Sequence, residues 1–187
     1  MSTNQVNLKG LRLLGAGLVI LGLLLPSSAS SQDVAVGQAT ATVLSILTVT
    51  ATSPLAFGTV FQGVPATVAN DDAAAGIFTI TGEGGSGISI FMQLPDYLST
   101  ATGDDRMVIS FSTTDASVDS TVNVDPTAFG SGWADVDPHN FPAATTVGTV
   151  GQGQSAIFLG GTVQPSVDQA AGAYTGDIVL TVAYNGS

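Results

Sequence analysis

Apolar and polar residues alternate at period two along most of this chain. The clearest case is the last stretch, 172–184. There Tyr174, Ile178, Leu180, Val182 and Tyr184 share one parity while Thr175, Asp177, Thr181 and Ala183 share the other, the pattern of a strand buried on one face. A helix fits worse, because the β-branched Ile178, Val179 and Thr181 lie close together and the stretch opens on glycines instead of a capping residue. The alternation predicts a C-terminal strand in the middle of a β core.

Residues 32–53 are strand-like almost without a break and would reach roughly 70 Å at about 3.3 Å per residue, several times an ordinary strand. Either Gly37 or Ser45 marks a bend, or the first part lies outside the domain that follows. Ser53-Pro54 ends the run, and a short strand is expected over 55–60. Strands over 77–81 and 88–94 flank the glycine-rich 82–87, which reads as a hairpin with a long loop. Residues 96–105 read as polar loop and 107–112 as a strand. A weak strand over 118–124 ends at Asp125-Pro126. Residues 126–145, rich in Gly, Pro, Asp and aromatic residues, form the longest expected loop. Strands over 145–150 and 154–163 precede the last one. About nine or ten short strands at roughly 8–12-residue spacing, with no helical pattern between them, predict an all-β antiparallel sandwich with little or no helix.

Lys9 and Arg12 precede the apolar run 13–25, which is followed by Pro26-Ser27-Ser28-Ala29-Ser30. A basic start, an apolar run short for a bilayer and small residues at Ser27 and Ala29 predict a secretory signal peptide over 1–29 and export by the Sec pathway. The domain expectation is then a signal peptide over 1–29, an extended arm over 30–43 and a β-sandwich over 44–187. Removing 1–29 leaves Arg106 as the one basic residue against 14 acidic ones. Such a balance excludes nucleic acid as a partner and disfavours anionic lipid surfaces. No membrane insertion is expected after cleavage. The chain has no cysteine, so packing and hydrogen bonds alone must hold it together.

Four blocks carry a resemblance. They are Leu55-x-Phe57-Gly58-Thr59-Val60, Ala75-x-x-Phe78-x-Ile80-x-Gly82, Leu159-Gly160-Gly161-Thr162-Val163, and Gly172-x-Tyr174-x-Gly176 ending in Val182-x-Tyr184. In this order, over roughly 38–185, they resemble a family of secreted bacterial β-sandwich domains labelled only as a domain of unknown function. That family borders on fimbrial, pilin-like subunits and spore-coat-U-like proteins. The resemblance implies an immunoglobulin-like sandwich and an extracellular structural role.

Candidate chemistry is sparse. Gly82-x-Gly84-x-x-Gly87 matches a dinucleotide fingerprint, but a strand-like stretch follows it where a helix is needed. Asp135-x-Asp137-x-His139 beside Trp133 is the best polar cluster. Its oxygen ligands would suit Ca²⁺ if any metal, and Asp137-Pro138 equally starts an ordinary turn. With no Cys, no Lys after residue 29, one Glu and one His, no enzyme and no cofactor are expected. Phe129, Trp133 and Phe141 either plug the open end of the sandwich or form a sugar platform.

The expected function is a structural subunit assembling with identical subunits into a surface filament or layer at the bacterial cell surface, with a secretion chaperone and outer-membrane pore as further partners. The alternative is a monomeric adhesin, a sugar- or protein-binding module acting through 126–145. The arm, with Val34, Val36, Gln38, Thr40 and Thr42 along it, is expected to add as a donor strand to a neighbour's sheet edge. The opposite expectation is an ordinary first strand folded onto its own sandwich.

Overall fold

The structure is a computed structural model that describes residues 38, 40–128, 130 and 132–186. Thr42–Ser187 is one compact unit. In Met1–Ala41 the described residues Gln38, Thr40 and Ala41 are exposed and carry no strand, while the signal-like segment, Val34 and Val36 lie outside the described residues.

Among the described residues there is no helix, and twelve strands form antiparallel ladders. They are β1 (Thr48–Ser53), β2 (Ala66–Val68), β3 (Gly76–Thr81), β4 (Ile88–Gln93), β5 (Tyr97–Thr100), β6 (Arg106–Ser110), β7 (Ala116–Asp119), β8 (Trp133–Val136), β9 (Gln154–Leu159), β10 (Gly161–Gln164), β11 (Tyr174–Thr175) and β12 (Val179–Tyr184). One sheet runs β1-β3-β9-β7-β8, a second β11-β5-β6-β10-β2, and β12 pairs with β4.

The last two ladders continue one another. Tyr174 pairs with Thr100 and Val179 with Gln93, so a five-residue advance on one strand faces a seven-residue advance on the other. The two extra residues lie between Gln93 and Ser99, a stretch that contains Pro95, which has no amide to give a ladder.

Period-two alternation sorts the side chains. Phe78 and Ile80 of β3, Ala116 and Val118 of β7, Ile157 and Leu159 of β9 and Val136 of β8 meet Ile88 and Met92 of β4 in the main core, and Leu180, Val182 and Tyr184 of β12 pack against it. Met107, Ile109 and Val163 form a separate cluster on the second sheet, with Phe57, Val60, Leu98 and Tyr174 beside it.

Several expectations change. Among the described residues the C-terminal strand is at an edge, not in the middle: β12 pairs with β4 alone, and its inward residues are half-buried because no described strand lies beyond them. The parity assignment holds along it, since Leu180, Val182 and Tyr184 turn inward and Val179, Thr181 and Ala183 outward. No hairpin joins β3 and β4, which enter different ladders. The glycines of 82–87 pack instead on 145–153, with the Gly82 amide donating to the Gly153 carbonyl (2.9 Å) and the Gly85 amide to that of Val147 (3.1 Å).

The expected strand over 145–150 is turn with one bridge, Gly87 to Thr146. Residues 96–105 contain β5, and 126–145 contain β8. The single strand expected over 154–163 is two, β9 and β10, in different sheets. Between them a Cβ on Gly160 would lie 2.7 Å from the Asn70 amide nitrogen and collide with the Val68 carbonyl. Only glycine lets the backbones pass so closely.

Candidate functional site

Beyond β1 the chain enters no ladder until β2. The strand expected over 55–60 is absent: Leu55, Phe57 and Val60 are partly buried, yet the segment joins no ladder. Among the described residues, the Ala56 amide is the only one in 55–62 that donates to another backbone group, reaching the Ala74 carbonyl at 3.0 Å. Gly58 takes φ +63° with no atom near its Cβ direction, so backbone conformation and not space selects glycine there. The pattern puts Leu55 and Phe57 on one side, and Val60, past the left-handed Gly58, falls out of that parity. Alternation could not show that the neighbouring strand is missing, because pairing depends on distant segments.

This segment forms one wall of a cleft of about 870 Å³ whose floor is Leu98, Met107, Ile109 and Val163 and whose other wall runs through 169–176 to Ile178. Among the described residues, no side chain lining it is charged. Its volume is within the ordinary range for ligand sites. Four residues singled out from the sequence, Phe57, Gly58, Tyr174 and Gly176, line it together.

The far wall is held by a polar knot. The Tyr174 hydroxyl lies 2.7 Å from both Asp105 Oδ2 and the Ala170 carbonyl, its one proton serving either, and it accepts from Gln169 Nε2 at 3.0 Å. The Ala170 amide donates to Asp105 Oδ2 (2.9 Å), and Gln169 Nε2 also reaches the Arg106 carbonyl (3.2 Å). Hydrogen bonds from Tyr174 and then from the Ala170 amide hold the Asp105 carboxyl below its ordinary value. Desolvation, followed by the hydrogen bond to Asp105, raises the Tyr174 phenol above its own. Gln62 Nε2 donates to the Gln169 carbonyl at 2.6 Å, tying the two walls. Sequence reasoning did not connect Asp105 or Gln169 with Tyr174: Asp105 stands 69 residues from its tyrosine and, with Asp104, reads in the sequence as a solvated turn or a weak cation site.

The other marked residues lie elsewhere. Phe78 is in the main core. A Cβ on Gly161 would touch the Phe111 ring at 3.0 Å, and one on Gly176 would lie 2.9 Å from Leu98. Gly82 meets Tyr184, where added bulk would strike the phenol oxygen and come within 2.9 Å of Leu47. The Tyr184 hydroxyl accepts from the Glu83 amide (2.7 Å) and donates to the Ser45 carbonyl (3.2 Å). Gln38, Thr40 and Thr42 are exposed.

Asp135, Asp137 and His139 do not converge. Asp135 Oδ1 accepts from Asn70 Nδ2 and Trp133 Nε1, both at 3.3 Å, while Asp137 Oδ1 caps the His139 amide at 2.9 Å and lies 3.2 Å from His139 Nδ1. Among the described residues no three His, Cys, Asp or Glu side chains come together as a metal site would require. Trp133 does not plug the main core. It lies on the outer face of the first sheet, stacked on Phe158 at 5.0 Å between centroids. Phe141 packs on the main core, and Phe129 lies outside the described residues.

Comparison with protein families, with curated proteins and with solved structures finds no match.

Proposed function

We propose that this chain is a non-enzymatic, extracellular structural subunit that self-assembles into a surface filament or layer. The observation that supports it most is the stretch leading into and through β1. Val43 and Ile46 are 92% and 85% exposed, Leu44 and Val49 are also exposed, and among the described residues β1 has a partner only along its β3 side. An apolar lead segment followed by an open edge is the surface that soluble monomers avoid and assembling chains use.

The fold reading that goes with it is an immunoglobulin-like sandwich. Its support is the face-to-face packing of the first sheet on β4 and β12, together with a tyrosine whose hydroxyl reaches a carbonyl four residues upstream, Tyr174 to Ala170, as in a tyrosine corner. Export rests on the signal-like 1–29, and the chaperone and pore rest on the resemblance to fimbrial proteins. No specific observation favours the adhesin reading, since Trp133 commits a ring face to Phe158.

Electron microscopy of the purified protein and of the cell surface tests the proposal. Filaments or layers are the expected result, whereas a persistent monomer with glycan affinity would replace this reading with the adhesin.

A further inference from the structure

We propose that the chain cleaves its own backbone between Asp137 and Pro138, with the Asp137 carboxylate as the nucleophile and His139 as the proton donor. The chain acts once on itself, so the reaction calls for no substrate pocket and does not depend on how subunits assemble.

The turn that follows β8 brings the reacting groups together. Asp137 Oδ1 accepts the His139 amide at 2.9 Å and lies 3.2 Å from His139 Nδ1, which puts carboxyl and imidazole in contact beside the bond. The Asp137 carbonyl oxygen accepts the Asn140 amide at 3.0 Å, a donor placed where negative charge develops when that carbonyl carbon is attacked. The flanks are fixed: Val136 and Pro138 are buried, and Phe141 packs on the main core. The Asp137 and His139 side chains, by contrast, are 30% and 55% exposed. The bond is held in place and is still open to water.

In the first step a carboxylate oxygen of Asp137 adds to the carbonyl carbon of the same residue and closes a ring through Cα and Cβ. The bond from that carbon to the Pro138 nitrogen then breaks, and the nitrogen takes a proton from the charged His139 imidazole. This leaves a secondary amine at Pro138 and a cyclic anhydride at Asp137. An amide nitrogen departs readily only when it is protonated as it goes, which is the part a positioned imidazolium plays. Water opens the anhydride and restores the Asp137 side-chain carboxyl beside a new α-carboxyl, so the sum is one peptide bond hydrolysed by one water.

A second Asp-Pro turn in the chain lacks the donor. Asp125 Oδ1 likewise caps the amide two residues on, that of Thr127, at 2.9 Å, the Asp125 carbonyl accepts the Ala128 amide at 3.2 Å, and Pro126 is buried. Its next side chain is a hydroxyl, which donates to the carboxylate at 2.7 Å and engages the nucleophile without the acidity of an imidazolium. Two turns with the same backbone bonds thus differ in the residue after proline, and the geometry points to the one with histidine. A cut there leaves the fold joined, because β9, β10 and β12 from 138–187 pair with β3, β7, β2, β6 and β4 from the part before it. The two pieces come apart only on denaturation.

For the test, the purified full chain is held at about pH 6, inside the range where imidazoles change charge, then denatured and read by gel and mass spectrometry. The expected result is a single cut with Pro138 as the new N-terminus and none before Pro126. With hydroxylamine present, the anhydride should be trapped as a hydroxamate on Asp137. Asp137→Asn, which keeps an oxygen for the His139 amide, should stop the cut. His139→Gln, at a side chain 55% exposed, should leave the thermal melt unchanged and slow the cut about a hundredfold. A chain that stays intact over days overturns the inference. Equal cutting at both Asp-Pro bonds also overturns it, since that is ordinary acid lability, and so does cutting that survives Asp137→Asn, since that is a contaminating protease. A His139→Gln chain cut at the parent's rate would remove the proton donor and the inference with it.

Discussion

Tyr174 shows at the scale of one residue how a strand-parity argument turns into a structural role. Its inward side was readable from alternation with Ile178, Leu180 and Val182. Its partners Asp105 and Gln169 were not, because they reach it through folding of distant loops. Truncating a ring packed beside Met107, Ile109 and Val163 removes both apolar contact and the knot. Tyr174→Ala should therefore destabilise the fold, and Tyr174→Phe, which loses only the hydroxyl, should do so less. Urea unfolding measures both, and an alanine variant as stable as the parent would put the ring outside the core. Asp105 adds a pH dependence. Its folded pKa lies below the unfolded one, so its stabilisation is complete above the usual carboxylate range and is lost as pH falls through the lowered value. Asp105→Asn should then be less stable than the parent at neutral pH, with the difference closing in acid; a constant gap would mean that the carboxylate charge has no part in it.

At the scale of elements, the all-β class was legible and the pairing was not. Alternation located β3, β4, β9 and β12 closely enough, since each presents one face to an apolar layer. It failed where a strand was short and polar, as in β5, or lay within turn-rich sequence, as in β8. It also took the glycines of 82–87 for a hairpin turn when their role is close packing against 145–153. Gly160 is similar: a run that reads as one strand is cut in two, because the chain crosses between sheets where the Val68 and Asn70 backbone leaves no room for a Cβ. Gly160→Ala should destabilise by about 1–3 kcal/mol through forced backbone shifts. A thermal melt matching the parent's would mean that the crossing has slack.

For the whole molecule, net charge opposes self-association. One basic residue after position 29 faces 14 acidic ones, so subunits repel at neutral pH over distances up to about a Debye length. The cleft was not visible beforehand: it lies beside 54–62, where the strand expected over 55–60 does not form, and nothing in the pattern marks that. Lowering pH from 7 toward the pI of about 4.1 should increase self-association, seen as rising light scattering. Scattering that stays flat over that range would show that repulsion does not limit assembly.

Deletion of residues 30–43 tests self-assembly through the arm most directly. With the compact unit beginning at Thr42 and its core built from β3, β4, β7, β8, β9 and β12, the truncated protein should keep a cooperative unfolding transition near that of the parent. It should remain monomeric by sedimentation at concentrations where the parent forms polymers. A truncated protein that unfolds would make the arm part of its own fold, and one that polymerises unchanged would show that the arm joins nothing.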